Sequence, residues 1–337
     1  MGRLINLKKN SYNSAKVSVK KGNLYGSDKI KSLVSYEFDE IMRYLEEHGF
    51  RKSVDKSYLQ YQGFYLVERV LNDHLSQIYK SIFLGSSKKN RILLDSYYLK
   101  YQVHNMMVIL RCKKSKEEDF EAYLIGDSRR KAKYIKAWEM PTTDAIIYMS
   151  KKLGFDYDQV LKNYKLGIYE VENYLYKIYY DKLRSLKFSY NHTDEMIFSK
   201  FIRKYIDLLN TRTYLRLKDD KNTKIDFKEF YLEGGKLNLS HFESLDSKSP
   251  KETLEFLKKM FGNSGFSIDV LTISSLDKKI SLHKKNANNI FRKARFGSPF
   301  YSLKFLFEVE REMSLLRIIL KAKYLKLSEE EILNLIN

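Results

Sequence analysis

The stretch Asn105-Met-Met-Val-Ile-Leu110-Arg111-Cys-Lys113 has two counterparts further along the chain. They are Asn210-Thr-Arg-Thr-Tyr-Leu215-Arg216-Leu-Lys218 and Leu315-Leu-Arg-Ile-Ile-Leu320-Lys321-Ala-Lys323. Arg111, Arg216 and Lys321 follow one another at intervals of 105 residues, without a gap. A pattern that returns at one period is the trace of a structural unit present several times. Upstream, Val67-Glu68 corresponds to Val171-Glu172 and then to Leu276-Asp277. Glu40 to Gly49-Phe50 resembles Ala145 to Gly154-Phe155, and Thr253 to Gly265-Phe266 follows as a third copy with a short insertion. These matches keep one order and one period, so they predict three tandem domains, 1–126, 127–234 and 235–337. A chain of 337 residues divides naturally into three units of about 100.

Within each unit the apolar spacing is helical. Val103, Met106 and Leu110 form a stripe at i, i+3 and i+7, which returns as Leu208, Thr211 and Leu215 and again as Met313, Leu316 and Leu320. Thr211 interrupts the apolar character and implies looser packing in the second copy. A second helix is expected over 67–83, 171–186 and 276–291, and a third over 36–48, 143–153 and 250–260. Pro141 and Pro250 fit first-turn positions, Ser249 and Thr142 to Asp144 supply caps, and Gly49, Gly154 and Gly265 fit helix C-termini. With three prolines in the whole chain, the fold class is all-α: three similar helical bundles in tandem.

A hydrophobic content of 43% supplies ample core, and the single Cys112 excludes an internal disulfide framework and a cysteine metal site. Cys112 corresponds to Leu217 and Ala322, which makes it a small core residue. No apolar run approaches the ~18 residues needed to span a bilayer. The opening Met1 to Lys9 lacks the apolar core of a secretory signal, so a cytoplasmic protein is expected.

The net charge of +20 invites a polyanionic partner, nucleic acid or an anionic membrane surface. The basic residues are nevertheless dispersed, with modest clusters at Arg129 to Lys133 and at Lys284-Lys285. Six histidines (His48, His74, His104, His192, His241 and His283) share no metal-ligand spacing. Gly85-Ser-Ser-Lys88 is only half of a phosphate loop, and Asn191-His-Thr193 carries no meaning as a glycosylation acceptor in a cytoplasmic chain. Glu308 and Glu312 stand near Lys304 and Arg311, as ordinary helix-surface pairs do, while Glu329-Glu-Glu331 after Ser328 reads as a helix cap. No nucleophile, base and orienting group assemble, so catalytic residues, cofactors and metals are not expected.

What recurs is basic. Arg111, Arg216 and Lys321 share one repeat position, and Arg212 and Arg317 share another four residues earlier, where the first copy has Met107. Residues four apart lie on one helix face. That face is either a solvated edge or, in a pseudo-threefold arrangement, the lining of a shared concavity that grips a partner.

The last forty residues resemble a known family. Glu310, Glu312, Leu316, Arg317, Ala322 and Lys323 on an apolar helix, followed by Leu327-Ser328 and Glu329 to Ile332, are similar to the C subunit of archaeal and bacterial V-type (A-type) ATPases, known in eukaryotes as the d subunit. Tyr12-Asn-Ser-Ala15-Lys16-Val17 with Gly22-Asn-Leu24 is similar to its opening. The asparagine usual before Leu-Arg is Leu315 here, although Asn105 and Asn210 keep it in the other copies.

The resemblance covers the whole chain and implies a funnel of three bundles. That funnel would sit on the membrane proteolipid ring, receive the D and F subunits of the rotor shaft and transmit torque without catalysing a reaction. It also implies a location on the cytoplasmic membrane face, with peripheral contact to the membrane surface and no nucleic-acid partner. The competing readings are a basic helical-repeat RNA-binding protein, with Tyr97, Tyr98 and Tyr101 as stacking platforms, and an adaptor scaffold of another membrane complex.

Overall fold

The computed structural model describes residues 2–186, 192–219, 226–262, 280, 283 and 297–336. Among these the chain is helical, with no strand. The helices are α1 (Gly2–Gly22), α2 (Ser27–Ser32), α3 (Phe38–Leu45), α4 (Arg51–Tyr58), α5 (Gly63–Gly85) and α6 (Lys88–Ser115). A 3-10 segment, Glu118–Tyr123, leads to α7 (Ser128–Trp138), α8 (Thr142–Leu153), α9 (Tyr157–Leu166) and α10 (Ile168–Arg184). Then come α11 (His192–Asp219), α12 (Phe227–Phe230), α13 (Leu239–Asp246), α14 (Pro250–Phe261), α15 (Pro299–Tyr324) and α16 (Glu329–Ile336). Apart from Ile280 and His283, the expected helix over 276–291 lies outside the described residues, as do the candidate cap Gly265 and the Lys284-Lys285 cluster. So does most of the loop at 189–193.

The three recurring stretches form the three long helices α6, α11 and α15, of 28, 28 and 26 residues. Their predicted stripes are all buried: Val103, Met106 and Leu110; Leu208, Thr211 and Leu215; Met313, Leu316 and Leu320. Each large apolar side chain so placed contributes roughly 1.5–3 kcal/mol. Thr211 stays in the buried stripe despite its hydroxyl. It is as fully buried as its neighbours, because its Oγ1 donates to the Asp207 carbonyl oxygen at 2.7 Å and leaves only its methyl to pack.

The caps follow the sequence closely. Ser249 and Glu252 close a reciprocal capping box with Pro250 at the first helical position, and Ser328 does the same with Glu331. Pro141 itself occupies the cap position of α8 and offers no side-chain cap. Gly154 ends α8 with φ +74°, a left-handed conformation that suits glycine, and Gly262 ends α14 with φ +82°. Ser87 caps α6 by accepting from Asn90 N–H, which gives the Gly85-to-Lys88 turn a structural role.

The chain divides into two compact units, residues 1–175 with 295–337, and residues 176–294. In the first unit the two ends of the chain meet. Asn13 Nδ2 donates to Ser86 Oγ (2.9 Å) and to Ser302 Oγ (3.3 Å), which joins α1, the end of α5 and the start of α15. Cys112 is buried in this unit, and its thiol is pushed up to about 11 by that burial. The second unit has its own core, in which Leu208, Leu237, Phe242, Leu245 and Leu257 pack together.

Candidate functional site

Helix α15 runs across α5 and α6 in the first unit with three glutamates at alternate positions, and each meets a different environment. Glu308 pairs with Lys21 of α1 at 2.8 Å. Glu310, two residues on, faces the opposite side and receives Tyr79 Oη (2.8 Å), Tyr97 Oη (2.7 Å), Tyr101 Oη (2.6 Å) and Lys100 Nζ (2.6 Å). Burial pushes its carboxyl up, but Lys100 and the tyrosine hydroxyls outweigh that, so Glu310 titrates below the usual carboxylate range. Glu312 accepts only the Tyr25 N–H, at 2.7 Å, and burial pushes its carboxyl up to about 8. One turn of helix thus carries both a carboxylate held charged and a carboxylic acid held neutral at pH 7.

One turn beyond, the recurring basic positions come into play. Arg317 Nε donates to Glu68 Oε2 (2.9 Å), Arg317 Nη2 to Asn72 Oδ1 (3.0 Å), and Lys321 Nζ lies 2.6 Å from Glu68 Oε1. Glu68 is buried, while the two cations keep 30% and 35% of their side chains exposed. Burial pushes the Glu68 carboxyl up, and Arg317 and Lys321 reverse this to hold it below its ordinary value. Arg111 makes the corresponding contact in the next copy, with Nη2 at 2.6 Å from Glu172 Oε2. Arg212 and Arg216 belong to the second unit, Arg212 half-buried and Arg216 exposed.

Of the five basic residues, Arg111, Arg317 and Lys321 thus lie in the first unit and Arg212 and Arg216 in the second. Arg317 and Lys321 share one carboxylate, and Arg111 holds another. Sequence reasoning overlooked the acceptors, although the signal was present: Glu68, Glu172 and Asp277 recur at one repeat position just as the bases do. The Glu310 network of Lys100 and three tyrosines carries no such signal, since Tyr97 and Tyr101 correspond to Ile202 and Ile206.

The same tyrosines bear on the RNA-binding alternative. Tyr97, Tyr98 and Tyr101 are buried, with their hydroxyls on Glu310 and on the Ile125 carbonyl oxygen, so they present no open ring to a nucleotide base. Among the described residues no group of histidine, cysteine, aspartate and glutamate could hold a metal ion, and no helix is long and apolar enough to cross a membrane.

Residues 14–335 match the family model described as ATP synthase (C/AC39) subunit. The chain belongs to this family. Relatives in it include the C subunit of the A-type ATP synthase of Methanococcoides burtonii, 28% identical over 335 residues that cover 96% of this chain and 93% of the relative. That of Archaeoglobus fulgidus is 27% identical over 67% of this chain and 66% of its own length, and that of Halobacterium salinarum 22% identical over 95% of both. The ATP synthase (C/AC39) match takes in α15 together with the α5 and α6 residues that hold it, so Glu310, Glu312 and Arg317 all lie inside the family region.

Proposed function

We propose that the chain is a non-catalytic central-stalk subunit of an A-type or V-type rotary ATPase, a socket that joins the D and F rotor shaft to the proteolipid ring. The observation that carries this reading is the family match over nearly the whole chain, with relatives named as the C subunit of A-type ATP synthases. In this reading the three tandem bundles, 1–126, 127–234 and 235–337, surround a pseudo-threefold axis. The socket works at the cytoplasmic membrane face, where its net charge of +20 favours a surface rich in anionic lipid.

A part that transmits torque has to resist shear between helices that are distant in sequence. The buried Glu68 of α5 and the half-buried Glu310 of α15 suit that demand, because each ties sequence-distant helices through several charge-assisted bonds.

Of the basic residues, Arg111, Arg212, Arg216, Arg317 and Lys321 remain the candidate shaft contacts, and the exposed Arg111 and Arg216 provide the clean test. Replacing Arg317 or Lys321 would strip a buried carboxylate of its partner and confuse folding with binding. The decisive experiment is affinity purification of the tagged protein from gently solubilised membranes, followed by mass spectrometry. Recovery of catalytic, shaft and proteolipid subunits is the expected result, with shaft recovery reduced for Arg111→Ala/Arg216→Ala. Recovery of ribonucleoproteins without ATPase subunits would overturn the reading.

A further inference from the structure

Away from the α15 contacts, the first unit has a groove of about 610 Å3 between α4, α5, the 3-10 segment and α7. Its floor holds an unbalanced set of charges. Asp73 faces two cations: Lys131 Nζ donates to its Oδ1 at 2.9 Å, while Arg69 Nε stands 3.2 Å from Oδ2 as an ion pair without hydrogen-bond geometry. The side chains of Lys131 and Arg69 are only 5% and 7% exposed. Arg69 spends a donor on the Glu121 carbonyl oxygen, which is neutral, so the two buried cations share the one carboxylate of Asp73.

A buried excess charge is costly unless an opposite charge compensates it. Glu121, Asp127 and Glu139 also line the groove, but none of them pairs with Arg69 or Lys131, and Glu121 is half-buried. Asp127 caps α7 by accepting from Arg130 N–H and stands 3.9 Å from Lys80, and Glu139 is exposed. Lys56, Lys80 and Lys136 line the same groove, all three exposed. Burial, together with the charges of Arg69 and Lys56, pulls the Lys131 ammonium below its ordinary value, although Asp73 opposes the shift. A bound anion would relieve that strain.

We propose that this groove binds a phosphate group, free or borne by a lipid headgroup, between Lys131 and Arg69 on the floor and the rim lysines Lys56, Lys80 and Lys136. A phosphate suits the arrangement because its several oxygens accept from several converging ammonium donors at once, and charge-assisted bonds of this kind are the strong ones. The assignment is independent of the rotary-ATPase reading.

The test uses the purified full chain in two arms. It is titrated calorimetrically with inorganic phosphate, and it is floated with phosphatidylcholine vesicles with or without phosphatidic acid. Heat in the first arm identifies free phosphate as the ligand, and flotation dependent on phosphatidic acid without such heat identifies the headgroup. Either result carries the inference when Lys131→Met weakens binding by about tenfold or more. If far-UV circular dichroism shows that variant misfolded, Lys80→Gln/Lys136→Gln, which leaves the floor intact, is expected to weaken binding severalfold. The charge-matched control Lys52→Gln/Lys165→Gln changes exposed residues that do not line the groove. Absence of binding in both arms, or equal weakening by the rim and control pairs, would overturn the assignment.

Discussion

Residues 63–126 and 168–235 carry corresponding sequence, and their buried amides behave alike while their acids do not. Asn105 donates to the Ile125 carbonyl oxygen (2.8 Å) and accepts from Ile125 N–H (2.9 Å). Asn210 treats Leu232 identically, at 2.8 Å in both directions. Lys113 caps the end of α7 through the Trp138 and Met140 carbonyl oxygens, and Lys218 caps α13 through that of Leu245. Glu68 and Glu172 correspond just as well in sequence, yet Glu68 is buried under two cations and Glu172 is half-buried with one arginine. The repeat thus preserves the anchors that hold backbone against backbone, whereas the energetic weight of its ion pairs depends on what happens to cover them.

The third copy offers the sharpest break in this comparison, because it has Leu315 in place of the clamping asparagine and buries Glu312 instead. An unfolded glutamate titrates near ~4.3. A folded value of about 8 means that the native state binds the extra proton between those limits. Stability is therefore greatest below the unfolded value and is lost as pH rises toward 8, by roughly 1.4 kcal/mol for each pH unit crossed. Urea unfolding of the parent chain at pH 5 and pH 8 is expected to differ by on the order of 3 kcal/mol from this group. Glu312→Gln keeps an acceptor for Tyr25 N–H and should flatten that dependence. An unchanged slope would mean that Glu312 is not the protonated group.

The next largest effect tests the likeness between the copies. Asn210→Ala leaves the Leu232 N–H and C=O both without a partner, at about 2–4 kcal/mol by denaturant titration. Asn105→Ala leaves only the Ile125 N–H, at about 1–3 kcal/mol, because Tyr98 Oη still donates to the Ile125 carbonyl oxygen. A negligible cost at either asparagine would show that the shared clamp matters in one unit only. The smallest effects test the contrast. Glu68→Ala should destabilise by about 2 kcal/mol, less than a fully buried pair because Arg317 and Lys321 are a third exposed. Glu172→Ala should stay within about 0.5 kcal/mol, as surface ion pairs do. Equal costs at Glu68 and Glu172 would remove burial as the explanation.

Much of the fold was legible because it rests on periodicity. The 105-residue spacing marked α6, α11 and α15, and the i, i+3, i+7 stripes picked out side chains that are all buried. Caps at Ser249 and Ser328 were legible because local chemistry dictates them. How Thr211 fits its stripe was not legible, since composition does not reveal that the hydroxyl is satisfied by its own helix backbone. The candidate site was less legible. The recurring bases were visible, but their partners Glu68 and Glu172 sit about 250 and 60 residues away in sequence and depend on which helices meet. Glu310 gathers donors from α5 and α6 more than 200 residues upstream, where no local pattern points to it.

The meeting of the chain's two ends has a kinetic consequence. Residues 176–294 form a unit of their own, inserted between the parts of the other unit, so α15 leaves the ribosome long after α5 and α6. At ~5–20 residues per second this gap lasts on the order of ten seconds. Throughout it, Tyr79, Tyr97 and Tyr101 lack their carboxylate and the apolar surface that α15 will cover stays open to water or to a chaperone. The inserted unit, with its separate core, can fold in that interval, and α15 then completes the first unit by contacts spanning nearly the whole chain. Translation speed across the insert thus sets how long the first unit stays incomplete.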